Sequence, residues 1–158
     1  MGRKHTMMDQ QFGRPDYDPS DQGTFERDLV FIAMPFQEGE MAHVYSVIRD
    51  ECAKLGLRAV RVDQNVGSGL IIREITDLIE RAEFIIFDLT GERPNVYYEL
   101  GYAHGVGNEP MDILLIAKEG TTLHFDITPF RVDFYRSPEH LRSLLTSSLR
   151  EMILKTRR

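Results

Sequence analysis

The sequence contains a single cysteine, Cys52, so no intrachain disulfide can form and no cysteine-based zinc site can be assembled. No apolar run approaches the ~20 residues that span a bilayer, and the N-terminus lacks the apolar block of a secretory signal. Positive charge is scarce: 19 Lys and Arg stand against 25 Asp and Glu, a net charge of −6. That balance argues against broad electrostatic binding to long nucleic acid, although a local basic pocket would be hidden in the sum. The five histidines show no metal-ligand spacing. The first 26 residues lack Leu, Ile, Val and Ala altogether, and Gly13, Pro15, Pro19 and Gly23 interrupt them, so they cannot bury a face of their own. These absences predict a reduced, soluble, cytoplasmic protein without metal or membrane contact: a mobile tail over 1–26 and one domain over 27–158.

The 158 residues suffice for one domain, and 42% hydrophobic with 28% charged residues is ordinary for a soluble chain. From residue 28 the pattern alternates. Leu29 to Met34 is a continuous apolar run stopped by Pro35, as expected of a strand buried on both faces. Met41, Val44, Tyr45, Ile48, Cys52 and Leu55 then recur at helical spacing, and Gly56 closes that helix. A short strand is predicted over 57–62, and a helix through Ile71, Ile72, Ile75, Leu78 and Ile79, with Ser68 as its cap. Phe84 to Phe87 is a third strand, Pro94 or Asn95 opens a helix reaching Gly105, and Ile113 to Ala117 is a fourth strand. The last strand is expected near 131–135, and the last helix starts with Ser137 as cap and Pro138 in its first turn. Five parallel strands and about five helices suit a flavodoxin-like three-layer sandwich with strand order 2-1-3-4-5.

In that order the first and third strands are neighbours whose following loops diverge, and the crevice between the loops is where ligands bind. Its walls are predicted to be Met34, Pro35 and Phe36 on one side and Asp88 to Thr90 on the other. Glu99 falls about one turn into the helix opened by Pro94, in an apolar and small-residue setting that includes Tyr97, Tyr98, Gly101 and Tyr102. Helical side chains lean toward the N-terminus, so Glu99 is placed to face the crevice, and a carboxylate walled by tyrosines is a candidate nucleophile or general base. A solvated acid favoured by the helix dipole is the alternative for the same residue. Gly101 and Gly105 share a face and are predicted to let this helix approach the sheet. Asp88 is a candidate for sugar hydroxyls or for holding the turn at Thr90 and Gly91. Asn95 suits ligand contact or an N-cap. Ser68, between Gly67 and Gly69 at a helix start, is a candidate phosphate contact. Asp63 and Arg61 end the second strand, where the alternatives are reaching the same crevice or simple solvation.

The segment Tyr98-Glu99-Leu100-Gly101-Tyr102-Ala103 resembles the nucleophile helix of the nucleoside 2-deoxyribosyltransferase superfamily and its TIR-like bacterial relatives. Phe31 to Phe36 is similar to the opening strand and loop of that superfamily, with Met34 where the transferases carry glycine. Phe125-Asp126-Ile127, Arg131 and Tyr135 are similar to its closing segment. The resemblance covers roughly residues 28–136. It implies that Glu99 attacks the anomeric carbon of a ribosyl or deoxyribosyl group, where a carboxylate stabilises and traps an oxocarbenium-like state. It also implies a nucleotide, nucleoside or NAD ligand, no cofactor, and a homo-oligomer in which a neighbouring subunit completes each site. The implied alternative is a non-catalytic TIR-like sensing module of the kind found in bacterial antiphage signalling.

Two departures from the transferase pattern bear on the substrate. Transferases place an aspartate six residues before the nucleophile, where this chain has Arg93. Their base-handling aspartate, in the helix before the third strand, is missing in register: Ile75 aligns, and Glu74 lies beside it. Both losses argue against base exchange on a free nucleoside. An arginine beside the sugar site favours a phosphorylated ligand instead, because guanidinium pairs well with phosphate oxygens; a surface charge in the Glu92-Arg93 loop is the alternative for the same residue.

Overall fold

The computed structural model describes residues 25–35, 39–62 and 68–157, without the side chains of 68–71. The expected tail therefore lies outside the described residues, except for Phe25 and Glu26. Glu26 already pairs with Ala82 in the sheet, one residue before the predicted boundary.

The strands are β1 (Glu26–Ala33), β2 (Arg58–Val60), β3 (Ala82–Asp88), β4 (Ile113–Lys118) and β5 (Asp133–Tyr135). The helices are α1 (Glu40–Lys54), α2 (Ser68–Arg81), α3 (Pro94–Gly105) and α4 (Pro138–Thr156). All five strands are parallel, in the order β2-β1-β3-β4-β5. β3 is buried throughout and β1 from Leu29 onward because helices cover both faces, which is why Leu29 to Met34 and Phe84 to Phe87 read as apolar runs. Alternate residues feed two cores. Val30, Ile32, Phe84, Ile86 and Ile116 pack with Val44, Ile48, Leu141, Leu145 and Leu149, under α1 and α4. Leu29, Phe31, Ala33, Ile85 and Phe87 pack with Ile75, Ile79, Val96, Leu100 and Ala103, under α2 and α3.

The described residues contain four α-helices rather than about five. The crossover from β4 to β5 is made by turns over 119–132, such as Phe130 N donating to Ile127 O at 2.8 Å. Gly120, three threonines and Pro129 interrupt any helical stripe there, and Ile127 is its buried anchor. The second strand is also shorter than its apolar letters suggest, because its pairing with β1 runs only from Arg58 to Val60.

Local signals set the helix ends. Ser137 Oγ accepts from His140 N at 3.1 Å and Pro138 starts α4. Gly56 takes φ +73°, a conformation that side chains with a Cβ rarely adopt, as the chain turns from α1 into β2. At the opposite end of the sheet Arg157 closes the domain: its guanidinium donates to both carboxylate oxygens of Glu83 at 2.7 Å and to Asp28 Oδ1 at 2.6 Å. Glu83 Oε2 also accepts from the backbone N of Asp28, where φ is +70° and the β1–β3 register shifts.

Candidate active site

Val96, Glu99, Leu100 and Ala103 are the buried residues of α3. Their spacing of three, four and seven residues is that of one helical stripe, so Glu99 occupies a position that the pattern reserves for an apolar side chain. It is 4% exposed. Its neighbours in a small crevice are Phe31, Ile32, Ala33 and Met34 of β1 and its exit, Arg61 and Val62 beyond β2, and Ile75 of α2. These are the carboxyl ends of β1 and β2, the side of a doubly wound sheet where ligands bind. The enclosed space is about 10 Å³, room for about one water, so a larger ligand meets Glu99 from the mouth of the crevice. Burial pushes the Glu99 carboxyl up to about 7, far above an ordinary glutamate.

Asp88 ends β3 fully buried, and its carboxylate is occupied by the protein itself. Oδ1 accepts from Thr90 N at 2.9 Å and from Thr90 Oγ1 at 2.5 Å, while Oδ2 accepts from Tyr135 Oη at 2.7 Å. Thr90 Oγ1 in turn accepts from Lys118 N at 2.9 Å. Burial raises the Asp88 carboxyl above its usual range, and these donors pull the other way. Of its two expected roles, the geometry gives Asp88 the turn. Gly91, at φ +72°, completes the tight passage to α3.

The other predicted residues divide. Met34 and Pro35 are buried at the β1 exit, and Met34 lines the crevice. Phe36 and Asp63 lie outside the described residues, as does the side chain of Ser68, which is the first residue of α2. Arg93 is exposed and is the N-cap residue of α3, without a side-chain cap bond. The cap expected of Asn95 is therefore displaced: Pro94 takes the first helical position, and Asn95 sits half-buried inside the first turn. Tyr98 is 53% exposed, about 100° around the helix from Glu99, and is not among the described lining residues. Tyr97 and Tyr102 turn to neighbouring carboxylates, Glu92 and Glu80. The described wall around Glu99 is thus Phe31, aliphatic side chains and Arg61, not tyrosine. Gly101 and Gly105 face open space, where an added Cβ meets nothing within 4 Å, so they are not what brings α3 to the sheet. Ile75 lines the crevice and Glu74 is exposed, so no acid from α2 reaches it among the described residues.

Arg61 is the crevice residue that the sequence placed least firmly. Its guanidinium carbon lies 5.4 Å from the centroid of the Tyr45 ring. Arg131, by contrast, pairs with Asp133 at 3.2 Å. A second, larger cavity of about 210 Å³ lies between α4 and the part of β4 that β5 does not cover. Its charged groups pair with one another, as in the Arg131–Asp133 and Lys155–Glu151 pairs. Among the described residues no group of three or more His, Cys, Asp or Glu side chains is placed to hold a metal ion. No described helix is long and apolar enough to cross a membrane.

The class defined by this architecture is the flavodoxin-like α/β sandwich, and solved structures share it. A flavo di-iron protein mutant from Thermotoga maritima matches with a TM-score of 0.60 and 16% identity over 83% of this chain. This chain spans 37% of that protein's length. The CMP N-glycosidase BcmB from Clostridium botulinum matches with a TM-score of 0.57 and 19% identity, covering 74% of this chain and 97% of that one. A diflavin flavoprotein A3 from Nostoc sp. gives a TM-score of 0.55 and 12% identity over 82% of this chain and 94% of that one. At these identities the likeness is one of fold. No protein-family description and no curated protein matches the sequence.

Proposed function

We propose that the protein cleaves the N-glycosidic bond of a nucleotide, nucleoside or NAD, with Glu99 as the nucleophile. The observation that carries this reading is a carboxyl on the buried stripe of α3, facing the carboxyl ends of β1 and β2 and poised near neutrality by burial. In the reaction a carboxylate oxygen of Glu99 attacks the anomeric carbon, the carbon–nitrogen bond breaks, and its electron pair leaves with the base. Water then hydrolyses the glycosyl ester and restores the carboxylate, or a second base takes the sugar. The low-polarity wall strengthens the attraction between the carboxylate and the developing oxocarbenium charge. The fold shared with a CMP N-glycosidase along nearly all of that protein's length supports the same class of reaction.

Ile75 stands where a base-protonating acid would be expected, and Glu99 is the only carboxylate among the described lining residues. That arrangement favours a base that departs without needing a proton, as nicotinamide does from NAD. The same scarcity of polar groups supports a homo-oligomer in which a neighbouring subunit completes the site. It also keeps a second reading in play: a nucleotide-sensing module of TIR-like type, which binds the ligand without cleaving it. Product analysis with nucleosides, 5′-monophosphates and NAD decides between them, comparing wild type with Glu99→Gln. Free base released by wild type alone supports hydrolysis, and base exchange with an added acceptor identifies a transferase. Equal nonzero turnover by both proteins removes Glu99 as the nucleophile, and binding without release by either identifies the sensor.

A further inference from the structure

Residues 89–93 alone join the end of β3 to Pro94, the first residue of α3, and hydrogen bonds hold this segment at several points. Leu89 is fully buried, and its N donates to Ile116 O at 2.8 Å. Thr90 Oγ1 donates to Asp88 Oδ1 at 2.5 Å and accepts from Lys118 N at 2.9 Å, so one hydroxyl joins the ends of β3 and β4. Thr90 N donates to the same Asp88 oxygen at 2.9 Å, and Tyr135 Oη of β5 lies 3.3 Å from the hydroxyl. The chain then passes through two left-handed residues, Gly91 at φ +72° and Glu92 at φ +47°. A residue other than glycine persists in that region only where its surroundings over-determine it. For Glu92 they do: its carboxylate accepts from Tyr97 Oη at 3.1 Å, and its N donates to Leu89 O at 3.0 Å.

The stripe of Val96, Leu100 and Ala103 presses α3 onto the sheet, but apolar burial is non-directional and leaves the rotation of the helix to its hydrogen-bonded start. Glu99 lies about 7.5 Å along the axis from Pro94. A side-chain tip stands about 5–6 Å from a helix axis, so a rotation of about 10° carries it about 1 Å. A misplacement of that size slows a positioned reaction by about 100-fold. We propose that Thr90 is a positioning residue for Glu99: its hydroxyl, bridging the ends of β3 and β4, fixes the start of α3 and so the place of the Glu99 carboxyl. The proposal rests on the reading of Glu99 as the nucleophile. Thr90 is not among the described residues that line the crevice, so its effect on the reaction runs through the helix. Valine keeps the branched shape of threonine without the hydroxyl, and leaves Lys118 N without the acceptor described for it. Serine keeps the hydroxyl.

The test compares wild type, Thr90→Val, Thr90→Ser and Arg157→Ala at a temperature where melting curves show each to be folded. Base release is measured with nucleosides, 5′-monophosphates and NAD. The titration of Glu99 is followed by NMR of protein labelled at its glutamate carboxyl carbons, the Glu99 signal being the one lost in Glu99→Gln. Thr90→Val should lower kcat by roughly 10- to 100-fold while KM changes by less than about threefold, and Thr90→Ser should restore most of the rate. In Thr90→Val the Glu99 titration should move from its wild-type position toward that of an ordinary glutamate, because the carboxyl is no longer held as deeply, and in Thr90→Ser it should stay in place. Arg157→Ala, weakened at the other end of the sheet, should match wild type in both readouts, which separates positioning from lost stability. Tyr135→Phe, which takes a donor from Asp88 and leaves the Thr90–Asp88 and Thr90–Lys118 bonds intact, is the second probe should Thr90→Val not fold; it should show the same two changes to a smaller extent. A Thr90→Val protein with wild-type kcat and titration overturns the proposal, as does an equal loss in Thr90→Ser or in Arg157→Ala. Where Thr90→Val does not fold, wild-type behaviour of Tyr135→Phe in both readouts overturns it. The cleavage reading fails separately: a Glu99 titration that shifts with loss of the hydroxyl, with no base released by any protein, keeps the positioning role and removes the enzyme.

Discussion

The hydroxyl of Tyr135 donates to Oδ2 of Asp88 at 2.7 Å, joining the end of β5 to the end of β3 across the intervening β4. Asp88 spends its other oxygen on Thr90, and Thr90 Oγ1 receives the backbone N of Lys118 in β4. Three strand ends are thereby tied to the turn that leads into α3, and α3 carries Glu99. A buried carboxylate here positions the helix and has no oxygen left over for a ligand.

Removing the Tyr135 hydroxyl leaves Oδ2 of a fully buried Asp88 without that donor. Tyr135→Phe should therefore lower unfolding stability by about 1–3 kcal/mol, read from the midpoint of urea unfolding at unchanged slope. Stability within error of wild type would show that the hydroxyl is not what holds this corner.

Glu99 costs the fold stability at high pH. Its folded value of about 7 lies above the ordinary 4.5, so between these the folded state binds the proton more strongly than the unfolded chain does. The Glu99 contribution is fully present below about pH 4.5 and is lost as pH rises through about 7, a change of order 3 kcal/mol. Glu99→Gln cannot ionise and should melt roughly 5–10 °C above wild type at pH 8, with the gain shrinking toward pH 5. Thermal melts of both proteins across that range check it, and an equal offset at every pH would contradict the assignment.

The Arg157 closure makes a prediction at the far end of the molecule. Its loss leaves the nearly buried Glu83 without its main counter-charge and the Asp28 turn without its partner. The partial exposure of Arg157 keeps the cost of Arg157→Ala below that of a fully buried pair, at about 2 kcal/mol. Chemical denaturation measures this, and base release per folded molecule should not change, because the closure lies at the opposite end of the sheet from Glu99.

Ser137 supplies a smaller, local term. Ser137→Ala removes the acceptor for His140 N and should cost about 1 kcal/mol, whereas Ser137→Asp should retain most of the stability. Amide exchange in the first turn of α4 should rise in the alanine variant alone.

Most of the architecture was legible in the sequence because its strands are buried on both faces. Leu29 to Met34 and Phe84 to Phe87 announce themselves as apolar runs, and Ser137-Pro138 and Gly56 punctuate the helices where the chain turns. The order of strands followed from their alternation with helices, but the Glu99 crevice is lined by the ends of β1 and β2 and by α2, and Asp88 to Thr90, expected as its second wall, are not among its described lining residues. What the letters concealed was direction. Tyr98 and Glu99 are adjacent in sequence, but one helical step of about 100° sends the tyrosine to solvent and the carboxylate inward. Gly101 and Gly105 mark a face of α3, and nothing in their spacing says that the face is the outer one. The buried stripe of Val96, Leu100 and Ala103 does say it, and it includes Glu99. Arg61 and Arg93 are equally basic on paper; only the course of the chain past β2 and the ring of Tyr45 bring the first to the crevice.

The most direct test of Glu99 as nucleophile is the pH dependence of base release from whichever nucleoside, monophosphate or NAD the wild type cleaves. Because the carboxylate must be ionised to attack, kcat/KM should rise about tenfold per pH unit below pH 7 and level off above it, and Glu99→Gln should release no base at any pH. A profile that is flat through pH 7, or base release by Glu99→Gln at the wild-type rate, would contradict it.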